Sequence, residues 1–475
     1  ISLIDPLIRK RGNPLNTLDT VIIGSGPGGY VAAIRASQLG QKVTIIEKND
    51  IGGTCLNVGC VPSKALLHAG HTYQEILHAE TFGIQAAGTL DFAKTQHWKN
   101  TQVVKKLSTG VSQLLKKNNV TIVMGEAKFT SKSTISVSKD GKTEEYSFKH
   151  AILAVGSRPI EIKAAPFGKR IVDSTGLLNI PTLPKSLCVI GAGYIGCELA
   201  EAFASFGVNV TLVEATSTIL PGFNTKLSDL VKRNLQKLGV TLLTEALVVS
   251  SKETENNVTL TYKKGETEST IDADIVLVSV GRRPNTDRVN IQPSGIELDP
   301  KGFVKVNAKS QTTNPNIYAI GDITPGLALA HKASYEAKVV AEVIAGHASK
   351  IDYKAMPAVC YTTPEIATTG LSLEECLAKK ISAKATDFPL AANSRAIAAS
   401  RTEGFIRIIF DEKSKLILGA QIAGLNASEI ITTMTMAIET GLTLEDVALT
   451  IFPHPSVSEA IMDTMEVGLG YPIHM

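Results

Sequence analysis

Cysteine, excess charge of one sign and long apolar runs are all scarce in this chain. Six cysteines in 475 residues are too few for a disulfide scaffold. A formal net charge of only +3, with no long basic stripe, gives no electrostatic case for binding nucleic acid. No window approaches about 18 uninterrupted apolar residues, so no transmembrane helix and no membrane partner are expected.

The start of the chain likewise carries no recognisable targeting signal. It has no signal-peptide pattern, and the short basic cluster Arg9–Arg11 is typical of a solvated tail. The first residue is Ile1 rather than Met, which leaves a removed leader or an upstream domain open. Otherwise the composition, 44% hydrophobic and 20% charged, is that of an ordinary globular protein. The length predicts about two to four domains.

One arrangement of strand, glycine turn, helix and strand occurs twice. The first copy comprises an apolar run at 21–23, the turn Gly24–Gly29, an Ala-rich stretch up to Gly40, and a strand at 42–46 that ends at Glu47. The second comprises 187–190, the turn Gly191–Gly196, a helix up to Phe206, and a strand at 210–213 that ends at Glu214. The first glycine and the acid are 23 positions apart in both copies.

Each glycine in these turns has a physical task. The first (Gly24, Gly191) permits a tight turn, and the second (Gly26, Gly193) lets the backbone approach a pyrophosphate at the helix N-terminus. The third (Gly29, Gly196) lets helix and strand pack closely. The acid can then bind a ribose 2′-OH. The repeat therefore predicts two dinucleotide-binding domains; two glycine turns in an α/β sheet without a nucleotide are the alternative.

The rest of the chain completes the predicted fold. A related turn follows each copy, at 154–159 with Gly156 and at 279–284 with Gly281. Segments around 128–150 and 245–272 alternate polar and apolar residues, which predicts antiparallel strands. From about 350 onwards, strand-like runs at 405–410 and 417–422 precede a helical stretch at 427–439. We therefore expect an α/β protein with two Rossmann-like dinucleotide-binding domains plus a C-terminal α+β domain.

Cys55 and Cys60 form the only close cysteine pair, within the segment 52–64. In an intracellular chain such a pair indicates metal or redox chemistry, but neither a second pair nor a spaced histidine cluster completes a metal site. A helix is expected over 65–79, and its dipole would favour a thiolate at the cysteines near its start. The four-residue gap is short enough for a disulfide, while two buried reduced thiols are the alternative. Cys188 and Cys197 are expected to be inert core thiols.

Together, these motifs resemble the flavin-linked pyridine-nucleotide disulfide oxidoreductases, from about Thr20 to the end of the chain. Within that family the likeness is to the members that oxidise dihydrolipoamide in 2-oxoacid dehydrogenase complexes. It rests on the segments 24–29, 52–64, 191–198, 312–322 and 454–459. It implies that the last domain is an interface (dimerisation) domain. The implied division is 1–18 as tail or linker, 19–155 and 283–350 as the two parts of the FAD domain, 156–282 as the NAD domain, and 351–475 as the interface domain.

The resemblance also implies the site residues. FAD is expected on the first glycine motif, with Asp322 on the ribityl side of the flavin. The remaining expected FAD contacts are Glu47, Lys48, Gly53, Thr54, Gly156, Leu329, Ala330 and His331. NAD is expected on the second motif, with Gly281. Glu214 favours NAD because a carboxylate accepts hydrogen bonds from a 2′-OH and repels a 2′-phosphate, and 215–220 carries no arginine.

The resemblance assigns catalysis to three pairs. Cys60 is the thiol that touches the flavin, and Cys55 exchanges with substrate; Lys64 and Glu198 lie near the flavin N5. His454, oriented by Glu459, is the general base. A loop histidine is the alternative, and Phe452 stands where many relatives have a second histidine.

In the family this dyad reaches the disulfide of the other subunit, so a homodimer is expected. The implied activity passes electrons from protein-bound dihydrolipoamide to NAD. The implied partners are the lipoyl domains and acyltransferase core of a 2-oxoacid dehydrogenase complex. A glutathione- or mercuric-reductase-like enzyme, or a subunit that chiefly docks, are the alternatives. The bacterial cytoplasm is the expected compartment, with the mitochondrial matrix as alternative.

Overall fold

The computed structural model of the protein describes residues 16–475, so the basic cluster at 9–11 and most of the expected tail lie outside the described residues. The first strand begins at Asn16, before the expected start of the FAD domain at residue 19, because residues 16–18 pair with the strand that contains Tyr146.

The secondary structure alternates as a mixed α/β chain. The strands are β1 (Asn16–Ile23), β2 (Val43–Glu47), β3 (Thr121–Met124), β4 (Glu126–Phe129), β5 (Thr134–Lys139), β6 (Lys142–Leu153), β7 (Ser157–Pro159), β8 (Ile171–Val172), β9 (Ser186–Ile190), β10 (Asn209–Val213), β11 (Thr241–Leu243), β12 (Leu247–Glu253), β13 (Val258–Lys264), β14 (Thr267–Ala273), β15 (Ile275–Val278), β16 (Arg282–Pro284), β17 (Ile317–Ala319), β18 (Ala358–Cys360), β19 (Glu365–Gly370), β20 (Ala383–Pro389), β21 (Phe405–Asp411) and β22 (Ile417–Gly424). The α-helices are α1 (Pro27–Gln38), α2 (Gly53–Val58), α3 (Cys60–Leu77), α4 (Phe92–Trp98), α5 (Lys106–Lys117), α6 (Ser174–Leu178), α7 (Tyr194–Ser205), α8 (Thr225–Lys237), α9 (Ala330–Ile344), α10 (Leu373–Ala378), α11 (Ser394–Ala398), α12 (Ala427–Thr440), α13 (Leu444–Ala448) and α14 (Glu459–Leu469). Among residues 16–475, none of the helices is both long enough and apolar enough to span a bilayer.

The chain divides into two compact units. The first runs up to Cys55 and adds 107–158 and 284–351; the second takes 56–106, 159–283 and 352–475. The expected division into an FAD domain in two parts, an NAD domain and an interface domain stays a prediction.

The first unit is built on one mixed sheet of order β3-β2-β1-β6-β5-β4, with β17 also on β6. Strands β1, β2, β3, β6 and β17 pair in parallel, whereas β4, β5 and β6 are antiparallel as the alternation predicted. The parallel strands are buried on both faces, so β1 ends in the apolar run 21–23 and β2 carries Ile45 and Ile46 before Glu47. Their carboxyl ends meet at one edge, where Gly24, Glu47 and the Asp322 segment follow.

The second unit contains a parallel sheet of order β11-β10-β9-β15-β8, a three-stranded antiparallel sheet β12-β13-β14, and a five-stranded antiparallel sheet β18-β19-β22-β21-β20. Helix α7 follows β9 and is buried from Gly196 to Ser205, which fits its small and apolar residues but leaves Glu198 and Glu201 buried as well. Helix α3 packs against α7. Helices α12 and α14 cover the antiparallel sheet of residues 352–475. The α+β architecture expected for the C-terminal part of the chain is therefore confirmed.

Helix α3 starts five residues earlier than the sequence indicated. Cys60 is its first residue, and Pro62 is accommodated because the first-turn N–H groups of a helix have no intrahelical partner. Gly59, with φ −142° and ψ −110°, separates α3 from α2. Cys55 therefore belongs to the short helix α2, and only Cys60 stands at the N-terminus of the long helix, which corrects the expectation that both do.

Candidate active site

The first glycine turn connects β1 to α1 with very little space inside it. A Cβ on Gly29 would lie 1.9 Å from the Gly24 carbonyl oxygen, so glycine is required for the close approach of helix and strand. Gly26, at the helix N-cap, has nothing within 4 Å of its Cβ position, and no side chain caps the helix. Open space in front of uncapped N–H groups fits the diphosphate of a dinucleotide.

Glu47 closes this turn from the end of β2. Its buried carboxylate accepts hydrogen bonds from the Ser25 N–H at 2.9 Å, the Ser25 hydroxyl at 2.7 Å and the Asn49 N–H at 2.9 Å. A carboxylate held in place with remaining lone pairs can also accept from a ribose hydroxyl. Lys48 and Thr54 are exposed nearby in sequence, and a Cβ on Gly53 would lie 2.5 Å from Gly26 Cα. The cysteine segment thus starts against the glycine turn, and these residues fit FAD.

The expected second flavin segment lies at the same sheet edge. Asp322 follows β17 and accepts a hydrogen bond from the Ser157 hydroxyl at 2.5 Å, next to Gly156 with φ +64°. Leu329 is the N-cap of α9, and Ala330 and His331 are its first residues. The structure therefore brings this expected set together around the carboxyl ends of β1, β6 and β17.

A buried ion pair behind this segment was not predicted from the sequence. Lys332 Nζ lies 2.8 Å from Glu336 Oε1, both almost fully buried, and Glu336 Oε2 accepts the Gly321 N–H at 2.7 Å. Lys332 also donates to Thr324 Oγ1 at 2.9 Å. The pair fixes the turn that carries Asp322. The i,i+4 spacing of Lys332 and Glu336 on a helix is the sequence signal from which this ion pair could have been predicted.

The second glycine turn reproduces the first in detail. A Cβ on Gly196 would lie 2.0 Å from the Gly191 carbonyl oxygen, and the Cβ position of Gly193 is open to 4 Å. Glu214 accepts the Ala192 N–H at 2.8 Å, as Glu47 accepts that of Ser25; both pairs are 22 positions apart. Glu214 also accepts from the Thr216 N–H and hydroxyl at 2.8 and 2.9 Å. These residues fit NAD. Gly281, with φ +132°, lies in the turn after β15.

Cys55 and Cys60 form a disulfide. Cys55 is partly exposed, so an attacking thiolate can reach its sulfur. Gly59, the N-cap of α3, leaves the helix without a side-chain cap, so the dipole at Cys60 favours the thiolate that reduction would release.

The other four cysteines are free and buried. Burial raises the pKa of Cys188 to about 12 and the pKa values of Cys197 and Cys360 well above the usual value. Buried thiols of raised pKa are poor nucleophiles, so the expectation for Cys188 and Cys197 agrees with their surroundings.

Lys64 and Glu198 meet as the resemblance implied. The Lys64 ammonium lies 2.7 Å from Glu198 Oε2 and 4.5 Å from the centroid of the Tyr361 ring. The Glu198 side chain is 3% exposed and also accepts the Tyr361 N–H at 3.0 Å. Lys64 is one helical turn after Cys60, so it lies on the same face of α3.

The His454–Glu459 dyad also forms. His454 Nδ1 lies 2.9 Å from Glu459 Oε2, with the imidazole 75% exposed and the carboxylate 12% exposed. Glu459 is the first residue of α14 and accepts from the Ser394 hydroxyl at 3.2 Å. The carboxylate orients the ring while the other nitrogen faces solvent, as a general base requires. Its action on another subunit's disulfide stays a prediction.

Residues 18–337 match the family described as pyridine nucleotide-disulphide oxidoreductase, and residues 356–465 match the dimerisation domain of that family. The chain therefore belongs to the pyridine nucleotide-disulphide oxidoreductase family. The protein is an oxidoreductase, its cofactors are FAD and NAD as expected, and its dimerisation domain supports the expected homodimer.

Curated relatives that share nearly the full chain are named dihydrolipoyl dehydrogenase. The protein of that name from Geobacillus stearothermophilus is 51% identical over 458 residues, which are 96% of this chain and 97% of the relative. The one from Staphylococcus aureus is 51% identical over 462 residues, 97% and 98% of the two chains. The one from Bacillus subtilis is 48% identical over 465 residues, again 97% and 98%.

Solved structures confirm the fold class. LpdA from Mycobacterium tuberculosis superposes with a TM-score of 0.88 at 26% identity, over 95% of this chain and 99% of that chain. The HOCl-induced flavoprotein disulfide reductase RclA from Escherichia coli superposes with a TM-score of 0.84 at 28% identity, over 94% and 99%.

Proposed function

We propose that the protein has dihydrolipoyl dehydrogenase activity: it oxidises the dithiol of dihydrolipoyl groups to the cyclic disulfide and reduces NAD to NADH. The observation that carries the proposal is the accessible Cys55–Cys60 disulfide at the start of α3, followed one turn later by the Lys64–Glu198 pair. Full-length relatives at 51% identity carry the same activity in their names.

In the proposed first half-reaction, His454 removes a proton from a substrate thiol, and Glu459 stabilises the imidazolium. The substrate thiolate attacks Cys55 Sγ, and the S–S bond breaks with Cys60 leaving as a thiolate. The second substrate sulfur then attacks the first substrate sulfur in the mixed disulfide and displaces Cys55, and the proton of the second substrate thiol passes to the Cys55 thiolate. The products are the oxidised lipoyl disulfide and the Cys55–Cys60 dithiol, so two electrons and two protons have passed to the protein.

The chain's own residues also serve the second half-reaction. Bound FAD supplies the route for the electron pair from the dithiol to NAD. The first glycine turn, Glu47 and the Asp322 segment would hold FAD; the second turn and Glu214 would hold NAD. Lys64, paired with Glu198, places a positive charge one turn from Cys60, where it would stabilise developing negative charge at the redox site.

The same proposal covers the division into domains, the role of the second subunit, the partners and the compartment. Residues 19–155 and 283–350 would form the FAD domain, 156–282 the NAD domain, and 351–475 the interface domain. His454 would act on the disulfide of the second subunit. Lipoyl domains and the acyltransferase core of a 2-oxoacid dehydrogenase complex would be the partners, in the bacterial cytoplasm.

The test is NADH formation from free dihydrolipoamide. Cys55→Ser should abolish it, because no sulfur remains for the substrate to attack, while flavin stays bound. Cys376→Ala, which removes a buried free thiol elsewhere, should retain activity. Full activity in the Cys55 variant would reject the disulfide mechanism. A preference for the reduction of oxidised glutathione by NADPH over the oxidation of dihydrolipoamide by NAD would favour a related disulfide reductase. Inactivity of the wild-type protein with lipoamide, joined to tight binding of an acyltransferase core, would instead favour a docking subunit.

A further inference from the structure

A second pair of charged groups lies beside Lys64–Glu198. Two turns along α3, His71 Nε2 lies 2.8 Å from Glu201 Oε1, and Glu201 is one turn beyond Glu198 on α7. Helices α3 and α7 are therefore joined by two parallel cation–carboxylate pairs. Only the Lys64–Glu198 pair belongs to the proposed site.

Glu201 is the more deeply buried of the two carboxylates. Its side chain is 1% exposed, and the residue as a whole is fully buried. It accepts the Thr363 N–H with both oxygens, at 2.8 and 3.0 Å, and the Thr363 hydroxyl lies 3.1 Å from His71 Nε2. A buried carboxylate needs a cation and hydrogen-bond donors. Within the described residues, the His71 ring is the group in direct contact that supplies a positive charge when it is protonated.

The two carboxylates hold one short segment of backbone. Glu201 takes the N–H of Thr363, and Glu198 takes that of Tyr361, two residues earlier. The Tyr361 ring lies under the Lys64 ammonium. A continuous set of contacts thus connects His71 to Lys64 through Glu201, the segment 361–363 and Glu198.

Other charged or titratable groups surround this set. Cys197 and Cys360 are buried thiols whose pKa values burial raises, so they stay neutral. Tyr361 stays neutral for the same reason. Glu75, one turn after His71, pairs with Arg401, and Lys99, in the helix at 99–105 that packs on α3, donates to the Leu178 carbonyl. Histidine is the side-chain type whose charge depends on pH in the neutral range, and His71 is the histidine of this set.

We propose that Glu201 and His71 are positioning residues for the Lys64–Glu198 pair, and that protonation of His71 sets the charge of this four-residue group and hence the tendency of the redox site to accept electrons. The inference rests on the proposed function, since it assigns Lys64 to the redox site. With His71 protonated the group is neutral; with His71 neutral it carries one net negative charge.

The sign of the effect follows from this charge. Negative charge opposes the addition of electrons, so the reduction potential at the site should fall further with rising pH than it would without His71. Seven residues of helix separate His71 from Lys64 by about 10 Å. At that separation and an effective dielectric constant of about 20, one unit of charge should change the equilibrium constant for reduction by about 15-fold, or about 35 mV for a two-electron couple.

The experiment measures the reduction potential of the FAD-loaded enzyme against pH, by equilibration with a reference dye, alongside the pH profile of lipoamide turnover. His71→Gln should behave as the wild type does at high pH over the whole range, and His71→Lys as the wild type does at low pH. Glu201→Gln should move the histidine-dependent step to lower pH, because the imidazolium has lost its counter-charge. His68→Gln removes an exposed histidine from the same helix and should leave the profile unchanged.

Identical pH dependence in wild type, His71→Gln and Glu201→Gln would overturn the inference. A uniform fall in activity with an unchanged profile would also overturn it, since a merely structural role predicts that result. Wild-type turnover of dihydrolipoamide is scored separately, so failure of the inference and failure of the proposed function are distinguishable.

Discussion

Two alanine substitutions in the second glycine turn separate nucleotide binding from folding. At Gly193 an added Cβ meets no atom within 4 Å, so Gly193→Ala should fold normally. Its methyl group would instead occupy the space in front of the α7 N-terminus, where the NAD pyrophosphate is expected. At Gly196 the added Cβ would lie 2.0 Å from the Gly191 carbonyl oxygen and 2.9 Å from Ser279 Oγ.

The geometry of the turn gives the size of the expected change in NAD binding for one variant and in stability for the other. Losing one charge-assisted hydrogen bond to a phosphate costs about 2 kcal/mol, which corresponds to a rise of roughly 30-fold in the KM for NAD in Gly193→Ala. In Gly196→Ala the backbone oxygen must move by more than about 1 Å to reach an ordinary contact, and overpacking of this kind costs about 1–3 kcal/mol or more. That variant should melt at a lower temperature as well as bind NAD poorly.

The assay is steady-state NADH formation against NAD concentration at saturating dihydrolipoamide, together with thermal melting followed by circular dichroism. Reduction of the enzyme by dihydrolipoamide without NAD serves as the internal control and should be unaffected in Gly193→Ala. An unchanged KM for NAD in Gly193→Ala, or a larger loss of thermal stability there than in Gly196→Ala, would refute the reasoning.

Three further predictions concern single side chains. His454→Gln should lower the turnover of dihydrolipoamide by about 10²- to 10⁴-fold, the usual contribution of a general base, while NADH oxidation by an artificial one-electron acceptor continues; equal loss in both assays would contradict the role. Glu214→Arg should lower the ratio of kcat/KM for NAD to that for NADP by at least about tenfold, because the like charge that repels a 2′-phosphate is gone; an unchanged ratio would argue against a ribose contact. Asp463 raises the pKa of His474 by hydrogen bonding and charge, so the pair stabilises the folded chain fully below the ordinary histidine pKa of about 6.5, and this stabilisation is lost as pH rises through the raised value. His474→Gln should therefore lower the melting temperature at about pH 6 and leave it unchanged at about pH 9, and a difference that grows with pH would show the sign to be wrong.

Local sequence patterns were sufficient for the elements around the expected cofactors. The glycine turns, their flanking strands and the acids Glu47 and Glu214 were predicted because each signal lies within about 25 consecutive residues, and the structure places each acid on the turn expected for it. The start of α3 was misplaced because the Pro62 in its first turn looks like a boundary until the helix N-terminus is seen around it. The i,i+4 pair Lys332–Glu336 was missed for a different reason: two opposite charges on a helix are usually exposed, and only packing shows that these are buried.

The amino-acid order alone determined the redox pair, the repeated nucleotide motif and the family, because each depends on residue type at a short spacing. Tertiary structure alone decided which charges meet. Lys64 and Glu198 are 134 positions apart, and His71 and Thr363 are 292 apart. No local pattern brings such groups within hydrogen-bond distance; the packing of α3 on α7 does so, since it buries two carboxylates that must then find cations and backbone donors.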